Sequence, residues 1–181
     1  MSDWGRVARR IRVPLGFVIA VVYFWLAKPN WPFLAYGSIA IIPGLVVRAL
    51  ASGHVRKNEA LATSGPYGYT RNPLYLGSLL IGIGFAIAAR SLWVGIILTT
   101  MFLAIYLPVI RAEEAFLRGK FLEFADYAQH VPRMLPRFTP YKREAGGGFS
   151  FELYRKHREF NAMLGSIALM AALIMKMYLR P

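Results

Sequence analysis

A chain of 181 residues sets the scale of one domain, and 56% hydrophobic residues with a positive mean hydropathy are too apolar for a soluble protein of this size. The formal net charge of +13 would point to nucleic acid in a soluble chain, but no nucleic-acid motif accompanies it. The absence of cysteine excludes disulfides, thiolate metal ligands and a cysteine nucleophile, and His54, His130 and His157 lack metal-ligand spacing, so no metal site is expected.

Crossing a bilayer as helix takes roughly 20 mostly apolar residues. In chain order, 13–28, 31–51, 73–89 and 91–110 approach or meet that, and 161–179 is a fifth such stretch. The expectation is an all-α polytopic membrane helical bundle of about five transmembrane helices with cytoplasmic interfacial helices, forming a single membrane domain over 1–181. Arg6, Arg9, Arg10 and Arg12 precede the first stretch as they would in a signal peptide, but no small-residue cleavage site follows Leu26, so it reads as a retained span. Trp25 and Trp31 suit a membrane interface on either side of Lys28, and Pro43-Gly44 predicts a kink in the second span.

With the N-terminus inside, all but four of the 22 lysines and arginines (Lys28, Arg90, Lys176 and Arg180) fall on the inner side. That bias orients the chain and draws its inner face onto anionic headgroups. Loops 51–72 and 111–160 are therefore expected on the cytoplasmic side of the bacterial inner membrane, with the C-terminus opposite.

The run Thr63-Ser-Gly-Pro-Tyr-Gly-Tyr-Thr-Arg-Asn-Pro-Leu-Tyr-Leu-Gly77 sets a polar, turn-rich segment against the start of the third span. Asn72-Pro73 reads as an N-cap with proline at the first helical position. Free N–H groups and Arg71 would then form a positive mouth suited to a carboxylate; a capped helix with an arginine at the headgroups is the simpler alternative. Spans three and four make a hairpin around Arg90-Ser91, which returns the chain to the inner face. There Arg111-Ala-Glu-Glu114 opens one amphipathic helix, with Leu117, Phe121, Phe124 and Ala128 at helical spacing and Val131-Pro132 ending it. Glu113 and Glu114 point about 100° apart, so one can face a ligand while the other pairs with a cation; a solvated helix start would also explain them. Gly82-Ile-Gly84 lets a second helix, or the flat ring of a ligand, approach the backbone closely. Gly146-Gly-Gly148 reads as a hinge, and 149–160 as a second interfacial helix.

Together Gly65-Pro-Tyr67, Arg71-Asn-Pro-Leu-Tyr-Leu-Gly77, Gly82-Ile-Gly84, Glu113-Glu114, and Leu117, Phe121, Tyr127 and Val131-Pro-Arg-Met-Leu-Pro136 resemble the integral-membrane methyltransferases over about residues 60–140. That family includes the isoprenylcysteine carboxyl methyltransferases and the phospholipid N-methyltransferases. The resemblance implies S-adenosylmethionine as cofactor and S-adenosylhomocysteine as product. It makes 59–140 the catalytic, cofactor-binding core, between N-terminal spans at 1–58 and a basic interfacial segment with the last span at 141–181. Tyr67, Arg71, Asn72, Tyr75, Gly77, Gly82, Gly84, Glu113 and Glu114 become cofactor-site candidates: a carboxylate suits Arg71, while a sulfonium, an amino group and ribose hydroxyls suit glutamates and tyrosines.

Two positions depart from the family pattern. Asn72 stands where many members have histidine, so its amide can hydrogen-bond but cannot titrate, and the basic residue before Val-Pro is His130. Arg71, His130 and Arg133 are the catalytic candidates, His130 as a base if the acceptor must lose a proton and Arg133 as a charge partner for a carboxylate. The acceptor is expected to be lipophilic, a carboxylate, an amine or a thiol, and the sequence does not choose among them. The expected partners are the lipid bilayer and a lipid or lipophilic small-molecule substrate, with no nucleic acid and no obligate protein partner. A non-catalytic membrane scaffold or small transporter is the alternative; a transporter would want charged or broken helices at mid-membrane in paired repeats, and no repeat of that kind is visible.

Overall fold

The computed structural model describes residues 16, 18–56, 59–141 and 148–179, and all regular structure among them is helical. Helix α1 covers residues 18–26. The Asn30 side chain accepts a hydrogen bond from the Phe33 amide at 3.0 Å and starts α2 (Trp31–His54), with proline in its first turn, where a missing N–H costs nothing. α3 (Pro73–Ala89) ends at Arg90, whose left-handed φ of 48° turns the chain back. α4 (Leu92–Met101), a π-helical segment (Phe102–Tyr106) and α5 (Leu107–Lys120) then continue as one 29-residue rod. Beyond it lie α6 (Phe124–His130), α7 (Phe151–Lys156) and α8 (Phe160–Leu179).

Three helices among the described residues, Trp31–His54, Leu92–Lys120 and Phe160–Leu179, are long and apolar enough to cross a membrane, and Pro73–Ala89 is a shorter apolar helix. The chain is an all-α membrane protein; about five spans were expected, and three helices among the described residues have the length and composition of one. Ile39, Ile42, Leu92, Trp93, Ile167 and Tyr178 are exposed on the helices, the kind of apolar surface that marks contact with lipid.

Small residues set how closely α2 and α3 approach. A Cβ at Gly37 would sit 2.4 Å from the Gly84 carbonyl oxygen, and one at Gly84 2.5 Å from that of Gly37; Gly44 and Gly77 face each other in the same way at 2.8 and 2.7 Å. Backbone contact of this kind is open only to glycine. Pro43, next to Gly44, lies within α2, which runs through it as a single helix. Around this contact Tyr23, Leu34, Ile41, Phe85, Val94 and Leu173 form the main core.

The single amphipathic helix expected beyond Arg111 is two. α5 stops at Lys120, Phe121 is extended, and α6 restarts at Phe124. The break turns Phe124, Tyr127 and Val131 onto Leu61, Leu117 and Tyr141 in a second small core, so packing against the loop before α3 overrides the helical period. The 149–160 segment is not one helix: Phe151–Lys156 forms α7, Phe160 already opens α8, and the positive φ of Arg158 at 53° separates the two. Gly146 and Gly147 of the expected hinge, and the four N-terminal arginines, lie outside the described residues.

Candidate functional site

The loop before α3 and the segment after α6 are held together by backbone. The Arg71 amide donates to Pro132 O at 3.0 Å, the Arg137 amide to Tyr69 O at 3.0 Å, and the Tyr141 amide to Gly68 O at 2.9 Å. Thr70 Oγ1 donates to the carbonyls of Arg133 and Met134. From below, the Tyr127 hydroxyl donates to Tyr67 O at 2.7 Å. Burial pushes the phenols of Tyr67 and Tyr127 well above their ordinary pKa, so both stay neutral hydrogen-bonding groups.

These segments converge on Glu114, which is buried near the middle of α5. Asn72 Nδ2 donates to Glu114 Oε1 at 2.8 Å, Arg133 Nε donates to Oε2 at 2.9 Å, and a terminal nitrogen of Arg133 lies 2.8 Å from the same oxygen in an ion pair. Arg71 Nε lies 3.3 Å from Oε1, an ion pair without hydrogen-bond geometry, while its terminal nitrogen donates to Ala128 O at 2.9 Å. Asn72 does precede Pro73, but its side chain makes no cap to α3. A second donor bond, to Arg133 O at 3.1 Å, commits it to the cluster instead. Arg71 is turned inward rather than standing at an open mouth. Arg133, with its side chain 42% exposed, is the cation that reaches the surface.

Glu113 has the opposite environment: it is exposed, and the Tyr75 hydroxyl donates to its Oε1 at 2.9 Å. The two glutamates thus divide as their 100° offset requires, Glu114 inward to cations and Glu113 outward. Tyr75 packs edge-on against Tyr106 at 5.9 Å, and Tyr106 stacks on Phe102 at 5.7 Å, four residues earlier in the π-helical segment. Wider π turns recur at functional positions, and here the turn carries Tyr106 between Tyr75 and a cavity.

That cavity, of about 740 Å³, runs among α1, α3, α4 and α8. At the end nearer the glutamates its wall carries Arg48, Ser78, Tyr106 and Asn161; farther along it is mostly apolar, with Phe85 and Leu98 beside Tyr23, Thr99 and Ser166. Gly82 lines it with open space where a Cβ would stand, whereas Gly77 and Gly84 are engaged with α2. His130 does not join the cluster: its Nδ1 lies 2.9 Å from Asp126 O, its ring faces Tyr141, and its side chain is 54% exposed. Sequence reading missed the Arg48–Glu159 ion pair, in which Glu159 Oε2 is 2.8 Å from the guanidinium and Ser78 is a further partner. An arginine inside an otherwise apolar span was the available signal. Among the described residues no group of three or more His, Asp or Glu side chains is placed to hold a metal ion.

A family model for phospholipid methyltransferases matches residues 33–123, which covers α2 through α5 and the start of the turn after it. The chain is 36% identical over 141 residues to the cobalt-zinc-cadmium resistance protein CzcN of Cupriavidus metallidurans, covering 74% of this chain and 65% of that protein. It is 32% identical over 114 residues to the nickel-cobalt-cadmium resistance protein NccN of Alcaligenes xylosoxydans xylosoxydans, covering 62% of this chain and 54% of that one. The chain therefore spans between about half and two thirds of the length of these curated relatives. No solved structure matches it.

Proposed function

Since the chain belongs to the phospholipid methyltransferase family, we propose that it transfers a methyl group from S-adenosylmethionine to a lipophilic acceptor at the membrane interface, on the cytoplasmic face of the bacterial inner membrane. The observation that carries this reading is the convergence of Arg71, Asn72 and Arg133 on Glu114, with Glu113 and Tyr75 beside it and a cavity behind Tyr106. The donor set suits the cofactor: Glu113 is an exposed carboxylate for cationic or hydroxyl groups, Arg133 an exposed cation for a carboxylate, and Tyr75 and Gly82 offer flat and open surface, with the buried Tyr67 supporting the loop from within. Bound there, S-adenosylmethionine would supply an electrophilic methyl group on a sulfonium. Glu114 orients its three cationic and amide partners, and Tyr75 fixes the Glu113 carboxylate. The walls of the cavity exclude water and direct the acceptor toward the polar end, where positioning can supply most of the catalysis of an in-line displacement.

The names of the two relatives attach metal resistance to those proteins, and the described residues of this chain offer no cluster that would hold the metal itself. We place the chain's chemistry on a membrane-resident acceptor. The test is calorimetric titration of the purified protein in detergent with S-adenosylmethionine, followed by transfer of labelled methyl to a lipid extract. Saturable binding and a labelled lipid are the expected results. Absence of binding would instead favour a non-catalytic scaffold or small transporter.

A further inference from the structure

The cavity shows which amphiphiles it can take. Gly82, Gly95 and Gly165 on α3, α4 and α8, with Gly16 just before α1, line its wall, and among the described residues none of them has a neighbour from another part of the structure within 4 Å of where its Cβ would be. They differ in kind from the glycines of the α2–α3 contact, because their missing side chains leave space rather than admit a neighbour. The resulting volume of about 740 Å³ lies toward the upper end of the roughly 300–1,000 Å³ that holds a drug-sized ligand.

Charge is confined to one end, although Tyr23, Thr99 and Ser166 also line the wall and the Tyr23 hydroxyl donates to Phe85 O. Arg48, Ser78 and Asn161 lie on α2, α3 and α8 where those helices meet the cytoplasmic segments, and Tyr106 approaches from the π turn. Glu159 is 8% exposed and does not line the cavity, whereas Arg48 does. The carboxylate therefore holds the guanidinium from behind, with Ser78 and Leu74 O taking a second nitrogen. What the cavity meets is the cationic side of the pair, with the Tyr106 hydroxyl and the Asn161 amide beside it, while the Ser78 hydroxyl gives its own proton to Leu74 O. Asn161 and Gly165 come from α8, outside the matched span of 33–123. This wall is thus contributed by a part of the chain that the family match does not cover.

We propose that the polar end of this cavity, built on Arg48 with Tyr106 and Asn161, anchors the oxyanion of an amphiphilic acceptor whose lipophilic body fills the space left by the four glycines. The oxyanion is a carboxylate or a phosphate. This assignment rests on the methyltransferase reading for the word acceptor, but amphiphile binding can be measured without methyl transfer.

The experiment follows displacement of cis-parinaric acid from the purified full-length protein by oleate, 1-oleoyl-lysophosphatidate, oleyl alcohol and oleylamine. S-adenosylmethionine binding to each variant is titrated in parallel. One or both oxyanion lipids should displace the probe about tenfold more effectively than the alcohol and the amine, the scale of hydrogen bonds to a charged group. Preference for oleate identifies a carboxylate site, and preference for lysophosphatidate a phosphate site. Because Arg48→Gln alone would strand Glu159 and could unfold the protein, the paired Arg48→Gln/Glu159→Gln variant removes both charges together. It should lose the oxyanion preference while still binding S-adenosylmethionine. Gly95→Leu and Gly165→Leu, which fill the cavity without touching Arg48, should weaken all four lipids alike. Equal displacement by the four lipids, or an oxyanion preference that survives the paired variant, overturns the role of Arg48. Unchanged displacement in both glycine variants overturns the location. Failure of S-adenosylmethionine to bind the wild-type protein counts against the methyltransferase reading and leaves the lipid comparison to be judged by its own outcomes.

Discussion

Glu114 and Glu113 are adjacent in sequence and opposite in environment, so the same substitution should act on them in different ways. Glu114→Gln leaves the inward-turned Arg71 and the half-exposed Arg133 without their carboxylate. It should lower thermal stability in detergent and weaken S-adenosylmethionine binding by about 1.5–3 kcal/mol, the worth of a hydrogen bond to a charged group. Glu113 touches only Tyr75 among the bonds described for it and stands exposed. Glu113→Gln should therefore weaken binding of the cofactor and leave the unfolding temperature where it was. A fall in stability without a fall in affinity for Glu114→Gln, read by calorimetry, would reduce the cluster to a structural brace. His130 has surface partners only, Asp126 and Tyr141, and His130→Gln is expected to keep wild-type kcat and KM. A loss on the order of 10²-fold in kcat with an amine or thiol acceptor would restore it as a general base. The different environments of two adjacent glutamates were legible from helix geometry alone. That Asn72 would leave its cap for Glu114 was not, because both roles use the same amide and only the tertiary arrangement of α5 decides between them.

Between elements, the glycines separate into two groups that sequence spacing cannot distinguish. Gly37, Gly44, Gly77 and Gly84 bring the backbones of α2 and α3 into contact, while Gly82, two residues before Gly84, faces open space. Gly84→Ala would place a Cβ 2.5 Å from the Gly37 carbonyl. Overpacking of this sort costs about 1–3 kcal/mol, and it should appear as a lower unfolding temperature and reduced yield of folded protein. Gly95→Ala meets nothing within 4 Å, so it should be neutral or stabilising by up to about 1 kcal/mol through helix propensity. Equal losses in the two variants would mean that the α2–α3 contact is looser than described. The extent of α3 was close to legible, since 73–89 is an unbroken apolar run between Pro73 and Arg90. The division of α5 from α6 was hidden, because Leu117, Phe121, Phe124 and Ala128 keep the helical period across the break. Contacts of Leu61 and Tyr141 with Phe124 and Tyr127, from distant parts of the chain, explain why the helix stops there.

At the scale of the whole molecule, hydropathy and charge carry most of what could be read in advance, and the cavity carries what could not. A cavity depends on which helices become neighbours, and nothing in the period of α8 announces that Asn161 and Gly165 will face Gly82. Orientation, by contrast, follows from where the basic residues lie and how they are held. Two outer ones are already occupied by protein groups: Lys176 donates to the carbonyls of Phe24, Trp25 and Ala27 near the end of α1, and Arg90 lies 5.7 Å over the Phe33 ring. Charges tied down in this way are expected to compete weakly for the anionic leaflet, which leaves Arg118, Lys120, Arg133, Arg137, Arg155 and Lys156, on the segments beside the cluster, as the residues expected to hold that face of the protein on it. The chain has no native cysteine, so single introduced thiols report each side without further engineering. Ala145→Cys should react with an impermeant maleimide only after the cells are opened, and Leu179→Cys, at the exposed end of α8, should react from outside intact cells. Labelling in the reverse order would put the glutamate cluster on the outer face, away from cytoplasmic S-adenosylmethionine. Labelling of both from the same side would show that α8, although long and apolar enough to cross, lies along the membrane instead.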